Sequence, residues 1–434
     1  VTRWPGAPSA SRLVELRQSW RPPPRALAAD AGLNAAKRDG SAIAHAPSQE
    51  AAVTWTEDGR AVTAAWLSAN DRPAPKAVTV VDDRLTADQA VRYAAQGTAM
   101  LWRGDFHNAK QLLSAIDRRL AKGSKKKPAT RVGETPAEEF YRIRQARAQR
   151  SRMLSLVLVP LELSSGPGSA VLPLPRAPRV GDAVEFAFGQ LAEGAGALAA
   201  VSLQELTGVL SAHQWFLNGV DVPSLGAKIH PHYGTFLPTR HEYVDLVAQA
   251  PLPSLDLAFD IGVGTGVLSA VLANRGVQRV IGTDIHQRAV DCASDNYARL
   301  GIADVATAQL GSMFPAGRAP LIVCNPPWLP GSAASTLDAA VYDPGSKMLL
   351  QFLQGLPDHL TDDGEGWLVL SDLAELLGLR TRDMLLDAIA QAGLAVVDRL
   401  DTVPTHRRAG DTEDLLHAAR SREVTSLWRL RVDT

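Results

Sequence analysis

LDLAFDIGVGTGVLSAVLAN, residues Leu255 to Asn274, decides how the second half of this chain is read. An apolar run ends at Ile261, glycines follow at alternate positions (Gly262, Gly264 and Gly266), and a helical pattern then begins. Glycine is needed where a chain leaves a strand, turns sharply and lets a ligand lie against bare backbone at the carboxyl edge of an open α/β sheet. The spacing is GxGxG, whereas the dinucleotide fingerprint is GxGxxG. Asp260 to Gly266, with Thr265 inside it, is therefore a candidate cofactor loop.

Working outward, Gln278–Thr283 and Pro320–Cys324 are further short apolar runs, separated by helical patterns at Gly266–Asn274 and Gln287–Leu300. Gly366–Leu370, Leu394–Val397 and Thr425–Leu430 supply later strands. This alternation predicts an α/β architecture in which a doubly wound, mostly parallel sheet is wrapped by helices. The second of the strands ends at Asp284, about 20 residues beyond the glycines, where a carboxylate can accept hydrogen bonds from ribose hydroxyls.

The strand from Pro320 runs directly into Asn325-Pro326-Pro327-Trp328. Proline is excluded from strand interiors, so the ladder has ended where these residues stand. The Asn325 side-chain oxygen and the Pro326 carbonyl can accept the two N–H bonds of a planar NH₂ group, the prolines restrict the torsions that aim that carbonyl, and Trp328 offers a flat face. An amide or exocyclic base NH₂ is a poor nucleophile because its lone pair is delocalised. Holding both N–H bonds favours the tetrahedral character that the nitrogen gains during alkylation, and no general base is required beforehand.

At 434 residues the chain is long enough for two or three domains. A helix-rich region is expected over 1–122, a basic linker and intermediate α/β region over 123–232, and the doubly wound domain over 233–434. The start to Gln49 is rich in Pro and Ala; Ala77–Val81 reads as a strand, and Thr86 with Gln89 as a capping box. Two helical patterns run to Leu120 with a break near Gly104, and Trp102–His107 reads as a turn between packed helices. Gly123–Pro128 is the clearest boundary, Thr135-Pro136-Ala-Glu138 opens another helix, and Leu154–Val159 is a strand candidate.

Net charge is −1, yet Lys and Arg far outnumber acids between Arg118 and Arg152. Such a run is either a solvated linker and helix face or a source of phosphate contacts from 118–152. No segment approaches the roughly 20 apolar residues of a membrane span, and the opening Val1–Pro8 lacks the apolar core of a secretory signal. Cys292 and Cys324 have no metal or redox spacing, so a cytoplasmic location is expected. His230-Pro-His232 has no third ligand nearby, so packing is expected there and no metal.

Glycine loop, ribose acid and Asn-Pro-Pro-aromatic motif, in that order, resemble the class I S-adenosylmethionine-dependent methyltransferases over roughly Tyr233 to Thr434. The resemblance implies a Rossmann-like fold with S-adenosyl-L-methionine as cofactor, its methionine end at Asp260–Gly266 and its ribose at Asp284, with Ile285 alongside. Ser312 stands where the family usually has an adenine-contacting Asp, and Trp328 where it usually has Tyr. The closest likeness is to the release-factor glutamine methyltransferases, through Phe236-Leu-Pro238-Thr-Arg240-His-Glu242 and Ala293-Ser-Asp-Asn296. This implies N-methylation, with Asn325, Pro326, Pro327 and Trp328 as the catalytic set and Asn325 also beside the cofactor. A protein glutamine side chain is the leading acceptor. An amino group of a base in RNA or DNA is the alternative, and a cofactor-binding or assembly module without turnover is a third reading.

Overall fold

Ala52–Glu57 (β1) and Arg60–Leu67 (β2) flank Asp58-Gly59, whose φ angles of 50° and 76° give the two-residue hairpin turn that matches strand twist. The computed structural model describes residues 51–125, 133–164, 166, 168–191, 197–332, 338, 340–404, 414 and 416–433. The Pro- and Ala-rich start to Gln49 and the basic residues Lys126, Lys127 and Arg131 lie outside the described residues.

Ala77–Val81 (β3), Thr98–Trp102 (β4), Val157–Leu163 (β5) and Ala197–Ser202 (β6) join the hairpin in one mixed sheet, ordered β1-β2-β6-β5-β4-β3. The regions expected at 1–122 and 123–232 thus contribute strands to the same sheet. Thr86 caps the helix Ala87–Ala95 through the full capping box with Gln89. Between that helix and Phe106–Lys125 the expectation of successive helices is corrected. Gly97, at φ 76°, ends the first helix, and Thr98–Trp102 is a strand whose last four residues are buried. A central strand buried on both faces shows no alternation, so its pattern cannot be separated from a buried helical turn. Trp102–His107 accordingly links a strand to a helix, with the Trp102 indole donating to the Asp105 carbonyl at 3.0 Å. Leu154 closes the helix Pro136–Leu154 instead of opening the strand.

After a small hairpin, Val220–Val222 (β7) and Ala227–Ile229 (β8), the second sheet comprises Ala258–Ile261 (β9), Val280–Asp284 (β10), Ala306–Leu310 (β11), Ala319–Cys324 (β12), Leu360–Ser371 (β13), Leu394–Thr402 (β14) and Thr425–Val432 (β15). Its order is β11-β10-β9-β12-β13-β15-β14, parallel except for β15, which is antiparallel to both neighbours. This is the doubly wound sheet expected from the sequence. The strand order reverses between β9 and β12, and the crevice at their carboxyl ends is where such sheets bind ligands. β11 was not expected: Ala-Thr-Ala-Gln-Leu is an edge strand with one buried residue and no apolar run.

The basic helix Pro136–Leu154 does not stand free. Phe140 and Ile143 are buried with Leu329, Leu373, Leu377 and Leu416 of the second half. Its cations are largely engaged: Arg142 with Glu134, Arg147 with Asp414 and Arg150 with Asp117, while the Arg144 guanidinium lies 3.4 Å from the Tyr342 ring centroid. Phe140 is 1% exposed. Phe140→Ala should therefore lower unfolding free energy by about 3–5 kcal/mol in denaturant titrations, as for other large-to-small core changes. A loss below about 1 kcal/mol would mean that this helix does not dock through Phe140.

Candidate active site

The β9–β12 ladder pairs Ile261 with Cys324, so the glycine loop and Asn325-Pro326-Pro327-Trp328 leave adjacent strands at one level. Gly262 and Val263 both donate to the Thr283 carbonyl at 2.9 Å, and Gly264 donates to the Asp284 carboxylate at 3.1 Å. The ribose acid of the sequence reading is thus tied to the loop itself, and its other oxygen accepts from the His286 amide at 3.0 Å. Gly262 and Gly264 have φ of 77° and 53°, which other residues rarely adopt. A Cβ at Gly262 would lie 2.8 Å from the Met348 methyl, whereas one at Gly264 would meet nothing nearer than 3.9 Å. The loop is packed behind and open in front, a cradle suited to a ligand against backbone.

Asp260 is 2% exposed and accepts from the Ser269 amide and hydroxyl at 2.9 and 2.7 Å, anchoring the first turns of the helix Val267–Asn274. Burial, with Asp284 adding repulsion against the Ser269 bonds, pushes its carboxyl up to about 7. Thr265 is also buried, and its carbonyl accepts from Asn296, which links the loop to the His230 backbone. Ile285 is 61% exposed and Leu310, paired with Asp284 in the sheet, is 58% exposed. Gly311 donates to the Asp284 carbonyl, which places exposed Ser312 just past this apolar edge. Leu310 was missed from the sequence because its partner across the ladder was not known.

At the other motif, the Trp328 indole N–H donates to Asn325 Oδ1 at 2.9 Å. Trp328 is partly buried, and the Arg240 guanidinium lies 4.6 Å from its ring centroid. A cation thus lies over the indole that the sequence reading expects to offer a flat face. Pro326 is buried, Pro327 half-buried. Cys324 is fully buried, and burial holds its thiol well above the usual range. His230 and His232 pack against the helix Gln287–Leu300, with His232 Nε2 3.3 Å from Asp295, and no metal-ligand cluster occurs among the described residues. A cleft of about 280 Å³ is lined by Arg72, Gln204, Glu205, His232, Tyr233 and Leu237 among others, and by no residue of the glycine loop or of Asn325-Pro326-Pro327-Trp328.

The Methyltransferase small domain family matches residues 244–377, the span that holds both motifs. The domain that carries this match is that of a class I S-adenosylmethionine-dependent methyltransferase. The methyltransferase is 27% identical over 162 residues to a candidate protein N5-glutamine methyltransferase of Methanocaldococcus jannaschii, covering 36% of this chain and 80% of that one. It is 33% identical over 145 residues to the release factor glutamine methyltransferase of Mycobacterium tuberculosis, covering 31% of this chain and 45% of the relative. A methyltransferase structure from Pyrococcus furiosus aligns at 16% identity with a TM-score of 0.35, over 52% of this chain and 98% of that one. S-adenosylmethionine is the cofactor of this domain, and the open glycine loop beside an acid and two exposed apolar side chains fits it.

The raised Asp260 carboxyl has a consequence for stability. The folded protein keeps this proton up to about pH 7, whereas the unfolded chain releases it near pH 4, so stability falls as pH rises across that interval. Asp260→Asn keeps an acceptor for Ser269 without the charge. Between pH 5 and 8 the variant should gain on wild type by on the order of 3 kcal/mol in denaturant unfolding. A difference that does not change with pH would remove Asp260 from the buried, protonated role.

Proposed function

We propose that this enzyme methylates a planar amino nitrogen, with a protein glutamine side chain as the acceptor. The observation that carries this reading is the pairing of Ile261 with Cys324, which brings the open glycine loop beside the Asn325-Pro326-Pro327-Trp328 clamp. Glutamine as the acceptor draws support from the relatives, which are glutamine methyltransferases by name.

Bound S-adenosylmethionine supplies a methyl group activated on a sulfonium. In this reading the Gly262–Gly264 backbone receives the methionine end, the Asp284 carboxylate takes the ribose hydroxyls, and Ile285 and Leu310 flank the adenine with Ser312 at its edge. Asn325 Oδ1 keeps one lone pair beyond its bond to Trp328, and with the Pro326 carbonyl it accepts the two N–H bonds of the acceptor. Rate enhancement then rests on alignment and on hydrogen bonds that strengthen as the nitrogen turns tetrahedral. A base amino group in RNA or DNA would satisfy the same clamp. The engagement of Arg142, Arg144, Arg147 and Arg150 within the protein weighs against phosphate tracking by that helix.

Two substitutions separate cofactor binding from chemistry. Asp284→Ala removes a charged acceptor and should weaken S-adenosylhomocysteine binding at least about tenfold by calorimetry. Asn325→Ala should bind it normally and yet transfer labelled methyl at least about a hundredfold more slowly. The assay is labelled transfer into fractionated cell extract, followed by protease or nuclease digestion. Label released by nuclease alone would replace glutamine with a base as the acceptor, and normal turnover by the Asn325 variant would overturn the clamp.

A further inference from the structure

Arg240 occupies a place that methyl transfer itself does not explain. Its Nε donates to Glu242 Oε1 at 2.6 Å and its Nη2 to Glu423 Oε1 at 2.9 Å, while its guanidinium lies over the Trp328 ring. The Ser371 hydroxyl donates to the same Glu423 oxygen at 2.6 Å. Both acid side chains are almost wholly buried, at 2% and 0% exposed, and the second oxygen of each has no hydrogen-bond partner among the described residues. Two buried carboxylates on one half-buried guanidinium, each half-satisfied, are a poor source of stability; an apolar trio of similar volume would serve as well or better. What the arrangement does supply is orientation. A guanidinium held at two of its nitrogens has a fixed plane, and it lies on an indole.

The indole in turn decides the state of Asn325. The two ends of an asparagine amide are nearly alike in shape, so the side chain can flip by half a turn with little steric consequence. The indole N–H is a donor only, and an oxygen must face it. Trp328 therefore selects the flip in which Oδ1, and not Nδ2, stands at this position 2.9 Å away. A flipped Asn325 would present hydrogens to the hydrogens of an NH₂ acceptor.

We propose that Arg240 is a positioning residue for methyl transfer: pinned by Glu242 and Glu423, it orients Trp328, whose indole N–H locks Asn325 with its oxygen toward the acceptor. The proposal rests on the amine-clamp reading given above and adds what keeps the clamp in register. Arg240 acts through Trp328 and touches neither acceptor nor cofactor, so its loss affects turnover and the state of the indole but not cofactor affinity.

Removing Arg240 alone would strand two buried acids, so the test variant carries Arg240→Met with Glu242→Gln and Glu423→Gln, compared with the double Gln protein. The first readout needs no acceptor. In ¹⁵N–¹H spectra the Trp328 indole, picked out of nine by its absence in Trp328→Phe, should exchange with solvent at least about tenfold faster once Arg240 is gone. S-adenosylhomocysteine affinity should stay within about threefold. The second readout is a double-mutant cycle on labelled methyl transfer into the protein fraction of extract. The Arg240→Met change and Trp328→Phe should each slow transfer by about thirtyfold or more, and their combination should be no more than about threefold slower than Trp328→Phe alone.

An unchanged indole exchange rate, or losses that multiply, would overturn the proposal. Should the triple variant fail to bind S-adenosylhomocysteine, Arg240→Lys replaces it under the same expectations, because an ammonium cannot span both acids and stack as a plane. Absence of transfer by the wild type would sink the methylation reading, and the exchange measurement would still decide whether Arg240 holds Trp328.

Discussion

The register of β12 against β9, Cys324 opposite Ile261, is the constraint on which the rest of the site depends. Neighbouring strands lie only about 4.8 Å apart, so two chains that leave their strands at the same level begin their loops side by side. A slip of one residue would turn Val323 and Cys324 to opposite faces and displace Asn325 from the level of Gly262. The register is held by burial on both faces, since every residue of β9 and all but Pro320 of β12 are buried. Around this pair the glycine loop is folded back by its own amides onto Thr283 and Asp284. The Asp284 carboxylate is therefore oriented by the amides of Gly264 and His286.

The reversed direction of β15 matters for the other side of the site. Because it runs antiparallel between β13 and β14, β15 begins at the edge where the parallel strands end. Glu423, two residues before it, accepts there from Ser371 at the end of β13 and from Arg240 in the segment preceding the helix Glu242–Gln249. A seventh strand added in parallel would have left this edge without an acid. The buried Arg–Glu network is thus a product of topology, and its position behind Trp328 gives it a chemical role that its energetics alone would not justify.

The first half of the chain contributes a wall. The helix Pro136–Leu154 carries many cations, yet its apolar residues Phe140 and Ile143 are what attach it, and the cations settle on acids and on Tyr342 around that contact. Arg144 also donates to the Ser332 carbonyl, and Leu329 and Tyr342 pair as an isolated bridge. Leu329, Ser332 and Tyr342, beyond the Asn-Pro-Pro-Trp motif, are therefore held against the helix Pro136–Leu154. Arg142, Arg144 and Arg147, which read as a solvated face in the sequence, are in the fold the rim of a packed seam.

The sequence by itself determined the features that a residue must satisfy with its own backbone. Glycines at positive φ, prolines ending a strand, the capping boxes at Thr86 and Thr135, and the alternation of apolar runs and helices were legible because each demand falls on the residue that meets it. The Asp58-Gly59 turn between alternating strands was written equally plainly and was passed over. Thr98–Trp102 could not be read, because full burial erases the period that separates strand from helix. Only the tertiary structure decided that Asn325 Oδ1 faces an indole, that Trp328 carries Arg240, that Leu310 joins Ile285, and that Arg144 and Arg147 pair within the protein. Those contacts join side chains distant in sequence, and they exist because of which strands became neighbours and in which direction each one ran.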